Sequence, residues 1–433
     1  MKSGKCLEEN QSHRRGTYVM KILRYLYFFL LIQFALLISG CGVNPITADP
    51  TPALFAPPVE GENSAPPLET SVEEIIIEKN TPTGVCVWNE AKEVLDCFDV
   101  DSKPLSTVQV PGIGSIDPQG LHLAGPLGTG KTPPPVIYFS WEPDQALLVS
   151  KNGVVEPLRK TNSFLAMAGA AGKPVLAFSE MDFENNIPHS YLFAGTLKTL
   201  ETSVSFFDLK DALTGMALMP VGVEAFGEQP RKVWYTHTAW GIGGADLVYP
   251  INRGLYVFDL ATGQNTQVLG SERNFQGLSP DNTQAGSINF NFKDDRSMRV
   301  TDLLSGHMVN FPLNPASDRG AGYAVFSIDG KYAAWLEASG SMITEPTNFQ
   351  TRVRVGDIAA GTVIQEMDSA MASKVLSWDR VSSMRPIGWL NTQTLVIEVH
   401  GNDWNTAALI KYDIFSGSLA VICQGSFAGF SYP

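Results

Sequence analysis

The sequence has few charged residues for its length, and this shortage limits the folds it can adopt. Charged side chains make up 17% of the 433 residues, below the roughly one quarter that is usual in globular domains. Glycine (39) and proline (28) are plentiful instead. This mixture disfavours a helical fold and favours many short strands joined by tight turns. The apolar fraction of 44% still allows a substantial core.

Basic residues and the spacings of common active sites are also scarce. There are 31 Lys and Arg against 44 Asp and Glu, a net charge of −13, and an acidic surface repels phosphate backbones, which argues against a nucleic-acid partner. The 6 histidines have neither H-E-x-x-H nor C-x-x-C spacing, so a metal site has no support. The G-x-S-x-G turn of hydrolases is absent as well. The sequence therefore predicts no catalytic residue, no metal and no cofactor.

One segment matches a nucleotide-binding pattern by its letters alone. Gly125 to Thr132 reads GPLGTGKT and fits the phosphate loop G-x-x-x-x-G-K-[ST]. That loop requires a helix directly after it, because the first N–H groups of the helix hold the phosphates. The three prolines at 133–135 prevent such a helix, and residues 136–139 read as a strand. We interpret the match as a loop between strands and predict no bound nucleotide.

The N-terminal segment has the form of an export signal. Residues 25–40 read YLYFFLLIQFALLISG, and Lys21 and Arg24 precede them. A basic segment followed by a short apolar run is typical of a secretory signal, whereas about 20 apolar residues are needed to span a bilayer. A retained membrane helix is the alternative. Because residues 1–19 are long and polar for a signal, Met20 is a candidate start.

The end of this signal carries a second motif. Ile38-Ser39-Gly40-Cys41 resembles the lipobox of bacterial lipoproteins, although that pattern prefers Leu where Ile38 stands. The resemblance implies cleavage before Cys41 and a diacylglyceryl group on its thiol. The protein would then be held at the extracytoplasmic face of the cell membrane or outer membrane. Residues 41–72 are rich in proline without apolar periodicity, which predicts an extended tether between a signal at 1–40 and a domain at 73–433.

Two cysteines of that domain lie in neighbouring predicted strands. Cys86 and Cys97 flank a turn at 89–93, and a hairpin centred on this turn places them opposite each other. A cross-strand disulfide is predicted in an oxidising compartment, with two reduced core cysteines as the alternative. Cys423 remains as an unpaired buried thiol.

A repeat runs along the domain. Four segments combine an alternating strand, an Asp and a tight turn closed by Gly: LYVFDLATG from 255, MRVTDLLSG from 298, VRVGDIAAG from 353 and IKYDIFSG from 410. A second motif precedes an apolar strand in three places: FQGLSPD from 275, YAVFSIDG from 323 and PIGWLN from 386. The distance between successive turns has the length of a four-stranded blade.

These motifs resemble the signatures of TolB-like and WD-repeat propellers, and the missing His and Trp-Asp landmarks favour the TolB-like branch. The resemblance implies an all-β, seven-bladed β-propeller over 73–433, with six blades as the runner-up. Residues 426–432 resemble an innermost strand, whereas strands at 74–78, 84–88 and 94–98 lack one. We therefore expect the C-terminal segment to enter the first blade and close the ring.

The resemblance also implies that the connections after the second and fourth strands of each blade share one face. All the long connections are predicted there, and long loops are often functional: 100–118, 181–188, 208–232, 337–350, 368–384 and 401–406. Exposed aromatic residues near polar groups are good anchors, so the candidate contact residues are Phe183, Phe226, Met342, Phe349, Asp403 and Trp404. We expect a membrane-anchored binding or scaffolding lipoprotein with a protein or glycan partner. The alternative is an extracytoplasmic propeller enzyme, a hydrolase or lyase acting on sugars or peptides.

Overall fold

The structure is a computed structural model that describes the greater part of the predicted domain. The described residues are 81–89, 92, 94–109, 121–123, 136–141, 144–149, 155–160, 164–169, 175–184, 187–196, 199, 203–210, 215–227, 229–239, 249–290, 295–341, 344, 346–402 and 406–431. Over these ranges the protein is all-β apart from one short helix, α1 (Ser369–Leu376). Its strands form five four-stranded sheets and one of seven strands, all antiparallel. The predicted signal and tether, including Cys41, lie outside these ranges.

The first three sheets come from the N-terminal half of the described chain, together with the last strand. The first sheet has the order β27 (Ser426–Ser431), β1 (Gly84–Asn89), β2 (Val94–Asp99), β3 (Pro104–Gln109). The second has β4 (Leu121–Leu123), β5 (Val136–Trp141), β6 (Asp144–Val149) and β7 (Val155–Lys160). The third has β8 (Phe164–Gly169), β9 (Val175–Glu184), β10 (Ile187–Thr196) and β11 (Phe207–Lys210).

The remaining strands follow in chain order. The seven-stranded sheet has β12 (Met216–Phe226), β13 (Gln229–Ala239), β14 (Asn252–Asp259), β15 (Asn265–Leu278), β16 (Gln284–Asn289), β17 (Ser297–Asp302) and β18 (Met308–Pro312). The next has β19 (Ala321–Phe326), β20 (Tyr332–Ser339), β21 (Gln350–Asp357) and β22 (Thr362–Asp368). After α1 come β23 (Ser383–Trp389), β24 (Thr394–His400), β25 (Ala407–Asp413) and β26 (Leu419–Gln424). The strands predicted from the repeated motifs are confirmed.

The repeated Asp and Gly build one kind of turn. The Asp302 carboxylate accepts the N–H groups of Leu304 (3.1 Å) and Ser305 (2.7 Å), and the Gly306 N–H donates to the Asp302 carbonyl (2.9 Å). Gly306 has a φ of +72°, a conformation that favours glycine. The same Asp cap and Gly closure recur at Asp259 with Gly263, Asp357 with Gly361, and Asp413 with Gly417. The motif is visible in the sequence because all its contacts are local.

A second repeated feature lies in what we call the lead strands: β8, β12, the second half of β15, β19, β23 and β27. At one point of its ladder, each lead strand has two residues opposite one residue of the paired strand. This irregularity is a β-bulge. The extra residues include Gln276, Ile387 and Ala428. A bulge bends its strand and increases the local twist. Its recurrence indicates that the sheets repeat one structural unit.

The hydrophobic core lies between sheets that follow each other in the chain. Met298 and Phe311 of the seven-stranded sheet pack with Trp335 of β20, and Val353 packs in one cluster with Met384. A further cluster joins Val85 and Val87 of β1 to Leu390, Val396, Leu409 and Ile422 from the last part of the chain. Burying one such side chain stabilises the fold by about 1.5–3 kcal/mol. The sheet of β23–β26 therefore packs against the first sheet.

The last strand belongs to the first sheet, as the sequence predicted. β27 pairs with β1 from Gly84 opposite Ser431 to Trp88 opposite Ser426. The partner of β27 is β1, which pairs with β2 on its other edge. The fourth strand of this sheet is β3, within the predicted connection 100–118. Residues 74–78 lie outside the described ranges.

The hairpin of β1 and β2 carries a disulfide. Cys86 and Cys97 are directly opposite in register and are bonded, with 4.0 Å between their Cα atoms and a sequence separation of 11. In the chain-entropy model a loop of this length stabilises the fold by about 3 kcal/mol. Cys423 is free and buried. Burial raises the pKa of its thiol to about 12, so it is not a reactive cysteine.

Two predicted long connections are hairpins instead. β9 and β10 continue to Glu184 and from Ile187, so 181–188 is not a long loop. β12 and β13 pair across most of 208–232, and their register shifts lie next to Pro220 and Pro230. The prolines are tolerated because they stand at irregular points of the ladder. Phe226 consequently lies at the turn from the first to the second strand of its sheet.

Candidate functional site

The lead strands approach each other closely where two glycines stand. A Cβ atom on Gly277 of β15 would overlap the carbonyl oxygen of Ala324 on β19. A Cβ atom on Gly388 of β23 would come within 2.7 Å of the ring of Phe430 on β27. Because glycine has no side chain, it permits this contact between successive lead strands. Polar residues on β15, β19, β23 and β27 are thereby brought together.

The centre of this polar group is Glu398, a buried carboxylate on β24. It accepts hydrogen bonds from Arg385 Nε on β23 (2.6 Å) and from the backbone N–H of Phe427 on β27 (2.8 Å). His400 Nε2 lies 3.3 Å from it. Burial alone would raise the pKa of Glu398, but the contact with His400, the charge of Arg385 and the Phe427 N–H together lower it to about 2. Glu398 is therefore ionised and links the last sheet to the closing strand.

Tyr323 on β19 extends the group to the neighbouring sheets. The Arg385 guanidinium carbon lies 5.8 Å from the centre of the Tyr323 ring, within cation–π range. The Tyr323 N–H donates to Gln276 Oε1 (3.1 Å), and Gln276 Nε2 donates to the Pro250 carbonyl (3.0 Å). Tyr323 has a φ of +52°, which is unusual for an aromatic residue and costs on the order of 1–3 kcal/mol. We call Gln276, Tyr323, Arg385, Glu398 and His400 the central belt.

The belt is suited to binding rather than to proton transfer. A general acid or base works best with a pKa near the operating pH, and that of Glu398 is about 2. Arg385 is the accessible group, because 38% of its side chain is exposed while its partner Glu398 is buried. A guanidinium has five N–H donors in a planar fork that matches the oxygens of a carboxylate or phosphate.

A second buried carboxylate, Glu337, is structural by contrast. Its Oε1 accepts from Trp335 Nε1 (2.9 Å) and Arg354 (3.0 Å), and its Oε2 accepts from Ser317 Oγ (2.7 Å) and the Asn314 N–H (2.9 Å). Only 13% of the Arg354 side chain is exposed. This network ties the connection before β19 to β20 and β21 and presents no accessible charge.

The predicted contact residues do not form one patch in the structure. Phe183 is 52% exposed, beside the turn from the second to the third strand of its sheet. Phe226 is 78% exposed, but its turn joins the first and second strands of its sheet. Such turns lie at the opposite edge of a sheet from those that join the second and third strands. Phe349 is only 5% exposed and is not available as an anchor. The backbone of Asn348 and Phe349 lies against Gly340. Met342, Asp403 and Trp404 lie outside the described residues, as do Gly125 to Thr132.

An open cavity of about 360 Å³ lies on the β9–β10 hairpin. It is lined by both acidic and aromatic side chains: Glu180, Met181, Asp182, Tyr191, Phe193, Ser203, Val204 and Ser205. The Tyr191 hydroxyl donates to Asp182 (3.3 Å), so the polar lining is internally connected. Phe183, which is exposed, directly follows Asp182 of the lining in the sequence. This hairpin is therefore a second accessible surface.

Sequence reasoning missed the central belt. Its members come from four strands, of which β15 and β19 are far in the chain from β23 and β24, so no local spacing reveals the whole group. One signal was present: β24 reads TLVIEVH, in which Glu398 interrupts an otherwise apolar run. A charge in a buried strand requires a partner, and that requirement points to Arg385 on the adjacent strand.

Neither a metal cluster nor a membrane-spanning helix occurs in the described part of the chain. Within those ranges no group of three or more His, Cys, Asp or Glu side chains is arranged to hold a metal ion. The same ranges contain no helix that is long and apolar enough to cross a membrane.

Comparisons with known proteins give a distant structural likeness. No protein-family model matches the chain, and no curated protein matches it. TolB from Acinetobacter baumannii is 14% identical, with a TM-score of 0.38 over 67% of this chain and 64% of that one. An oligogalacturonate lyase from Vibrio parahaemolyticus is 12% identical, with a TM-score of 0.45 over 79% and 91%. The Dos1 propeller is 13% identical, with a TM-score of 0.42 over 81% and 88%. The chain is thus distantly similar to β-propeller proteins, and it spans just under two thirds of that TolB.

Proposed function

We propose that the domain is a β-propeller of seven blades, in which the six lead strands and β4 are the innermost strands. The seven-stranded sheet supports this count, because β15 serves two units: its first half pairs with β14 and its second half with β16. Divided at β15, this sheet gives two four-stranded units beside the other five. The bulge shared by the lead strands supports equivalent blades, and the packing of the last sheet on the first supports a closed ring.

We further propose that the protein is an extracytoplasmic lipoprotein held to the cell membrane or outer membrane by a lipid on Cys41. The lipobox-like end of the apolar segment carries this proposal. The disulfide between Cys86 and Cys97 agrees with it, because such bonds persist in oxidising compartments.

The anchor has a direct test in cells grown with radiolabelled palmitate. The wild-type protein is expected to take up label and to fractionate with membranes, and Cys41→Ser is expected to lose the label because the acylated thiol is gone. Cys6→Ser is the matched control, since that cysteine precedes the proposed cleavage site. Label that persists in Cys41→Ser, or a wild-type protein that keeps residues 1–40, would favour the retained membrane helix.

The most strongly supported activity for this domain is binding, with the propeller as a rigid platform for a protein or glycan partner. The central belt carries this conclusion: its buried carboxylate is ionised and occupied by donors, while a fixed arginine remains accessible. Arg385 is close to the start of β23, and Glu398 is close to the end of β24. The belt therefore lies towards the edge where the second-to-third connections and Phe183 are found.

The binding face can be tested by photo-crosslinking in intact cells. A photoreactive phenylalanine analogue at Phe183 is expected to form a discrete adduct with the partner, because this residue is exposed at the edge of the belt. The same analogue at Phe226 is the matched control, since it is an exposed phenylalanine at the opposite edge. Adducts at Phe226 alone would place the partner on the other face, and adducts at neither position would contradict the binding function.

A further inference from the structure

Arg385 differs from the other ion-paired arginines of the described chain in its exposure. Its side chain is 38% exposed, compared with 6% for Arg273, 13% for Arg354, 15% for Arg352 and 24% for Arg299. In its pair the carboxylate is the buried member, at 2%, and the cation is the accessible one. Partial exposure lowers the cost of desolvating the cation. It also presents part of the guanidinium to the outside.

The charge of Glu398 is shared among several donors. Besides Arg385, the Phe427 N–H and His400 Nε2 contact the same carboxylate. Arg385 gives Glu398 only its Nε–H, at 2.6 Å. The guanidinium also has a side-chain hydrogen bond with Tyr323. It keeps N–H donors beyond these two contacts. The remaining donors can meet an oxyanion at the open side.

The surroundings hold the guanidinium in one orientation. The Nε contact fixes it on one side, and the Tyr323 ring lies 5.8 Å from its central carbon. Tyr323 has a φ of +52°, and its backbone N–H donates a hydrogen bond to the side-chain oxygen Oε1 of Gln276. Strained residues of this kind concentrate at ligand sites, because the surrounding structure must hold them in place. A pre-oriented fork loses little side-chain freedom when a ligand binds.

We propose that Arg385 is the recognition site for a single carboxylate of a peptide segment in the partner, bound through the outer N–H groups of the guanidinium. This inference rests on the proposed binding function and names the chemistry of its partner. A carboxylate is favoured over a polyanion because the net charge of −13 repels multiply charged phosphates or nucleic acids. A single carboxylate meets little of that repulsion while gaining the charge-assisted hydrogen bonds.

The test uses the full-length protein in detergent and a fluorescent glycine-rich peptide that carries one Glu, the Glu peptide, with the same peptide carrying Gln in its place, the Gln peptide, as the neutral match. The Glu peptide is expected to bind and the Gln peptide to bind at least about tenfold more weakly, because charge-assisted hydrogen bonds are lost. The affinity for the Glu peptide is expected to fall on the order of tenfold in Arg385→Lys, which keeps the charge but loses the fork. Arg352→Gln, an arginine paired with Glu366 outside the belt, is expected to leave binding unchanged.

Folding of the variants is checked separately, because Arg385→Gln alone would leave Glu398 buried without its cation. The double variant Arg385→Gln with Glu398→Gln replaces the ion pair by a neutral amide pair, and it is expected to lose binding while keeping a cooperative melt.

Equal binding of the two peptides, or an equal loss in Arg352→Gln, would overturn the proposal. A wild-type protein that forms the Phe183 adduct but does not bind the Glu peptide would refute the carboxylate site while the platform function stands. Competition by inorganic phosphate at the same concentration as the peptide would contradict the preference for a carboxylate.

Discussion

Deletion of residues 426–433 is expected to unfold the whole domain rather than to fray one end. β27 forms five backbone pairs with β1, from Gly84–Ser431 to Trp88–Ser426, so its loss leaves an edge of β1 without partners. Each buried polar group left unsatisfied costs about 1–3 kcal/mol. The deletion also removes the Phe427 N–H from Glu398 and the Phe430 ring from Gly388. Together these losses are comparable to the roughly 5–15 kcal/mol by which a domain is usually stable.

The measurement is urea unfolding followed by tryptophan fluorescence, together with limited proteolysis of the folded state. Deletion of residues 432–433 alone is the control, because it leaves β27 intact and is expected to keep the wild-type midpoint. A synthetic peptide of residues 426–433 added to the truncated protein is expected to restore part of the protease resistance. An unchanged unfolding midpoint in the longer deletion would show that β27 does not close the fold.

The role of β27 could be predicted from the sequence because its motif is local. The bulged F-x-G-F pattern of residues 427–430 resembles the FQGLS segment of β15, and the strands predicted for the first sheet lacked an innermost partner. The Asp turns were equally visible, since Asp302 bonds only to groups two to four residues away. Features made by neighbours in the chain leave a pattern in the sequence.

The errors have the opposite cause. β3 lies within the predicted connection 100–118, and its sequence PLSTVQ gives little apolar signal because the strand is mostly exposed. The predicted connection 208–232 contains Pro220 and Pro230, yet most of it is a hairpin, because each proline stands beside a register shift. Phe349 was predicted to be exposed because it lies in a polar connection, but the path of that connection turns it inward. Edge strands, bulges and loop paths are decided by tertiary contacts.

The contacts of the central belt are also decided by tertiary structure and could not be predicted from the sequence. Glu398 and Phe427 are 29 residues apart, and Tyr323 and Gln276 are 47 apart. These residues meet only because four lead strands converge at glycines that permit close approach. A sequence can suggest that Glu398 needs a partner, but the identity of its donors depends on the assembled sheets.

Glu398→Gln is expected to be the most destabilising single conservative change in the belt. The amide is isosteric, but it removes the negative charge that compensates Arg385 and replaces acceptor oxygen by N–H₂ where donors converge. Breaking one partner of a buried ion pair typically costs about 3–5 kcal/mol. Glu366→Gln is the matched control, because that carboxylate is also paired with arginine, namely Arg352 and Arg354, but is 35% exposed. Its loss is expected to cost about 1 kcal/mol or less.

The pH dependence of unfolding provides the sharper measurement. The pKa of Glu398 falls from 4.5, its ordinary value, to about 2 in the folded protein. Its ionised form therefore stabilises the fold fully above pH 4.5, and this contribution is lost as the pH falls from 4.5 through 2. The shift corresponds to about 3 kcal/mol.

Other carboxyl groups titrate in the same pH range, so the relevant quantity is the difference in free energy of unfolding between wild type and Glu398→Gln. That difference is expected to shrink as the pH is lowered from 5 towards 2, because acid protonates the wild-type carboxylate and the variant has none. A difference that stays constant over this range would mean that Glu398 is not an ionised member of the belt.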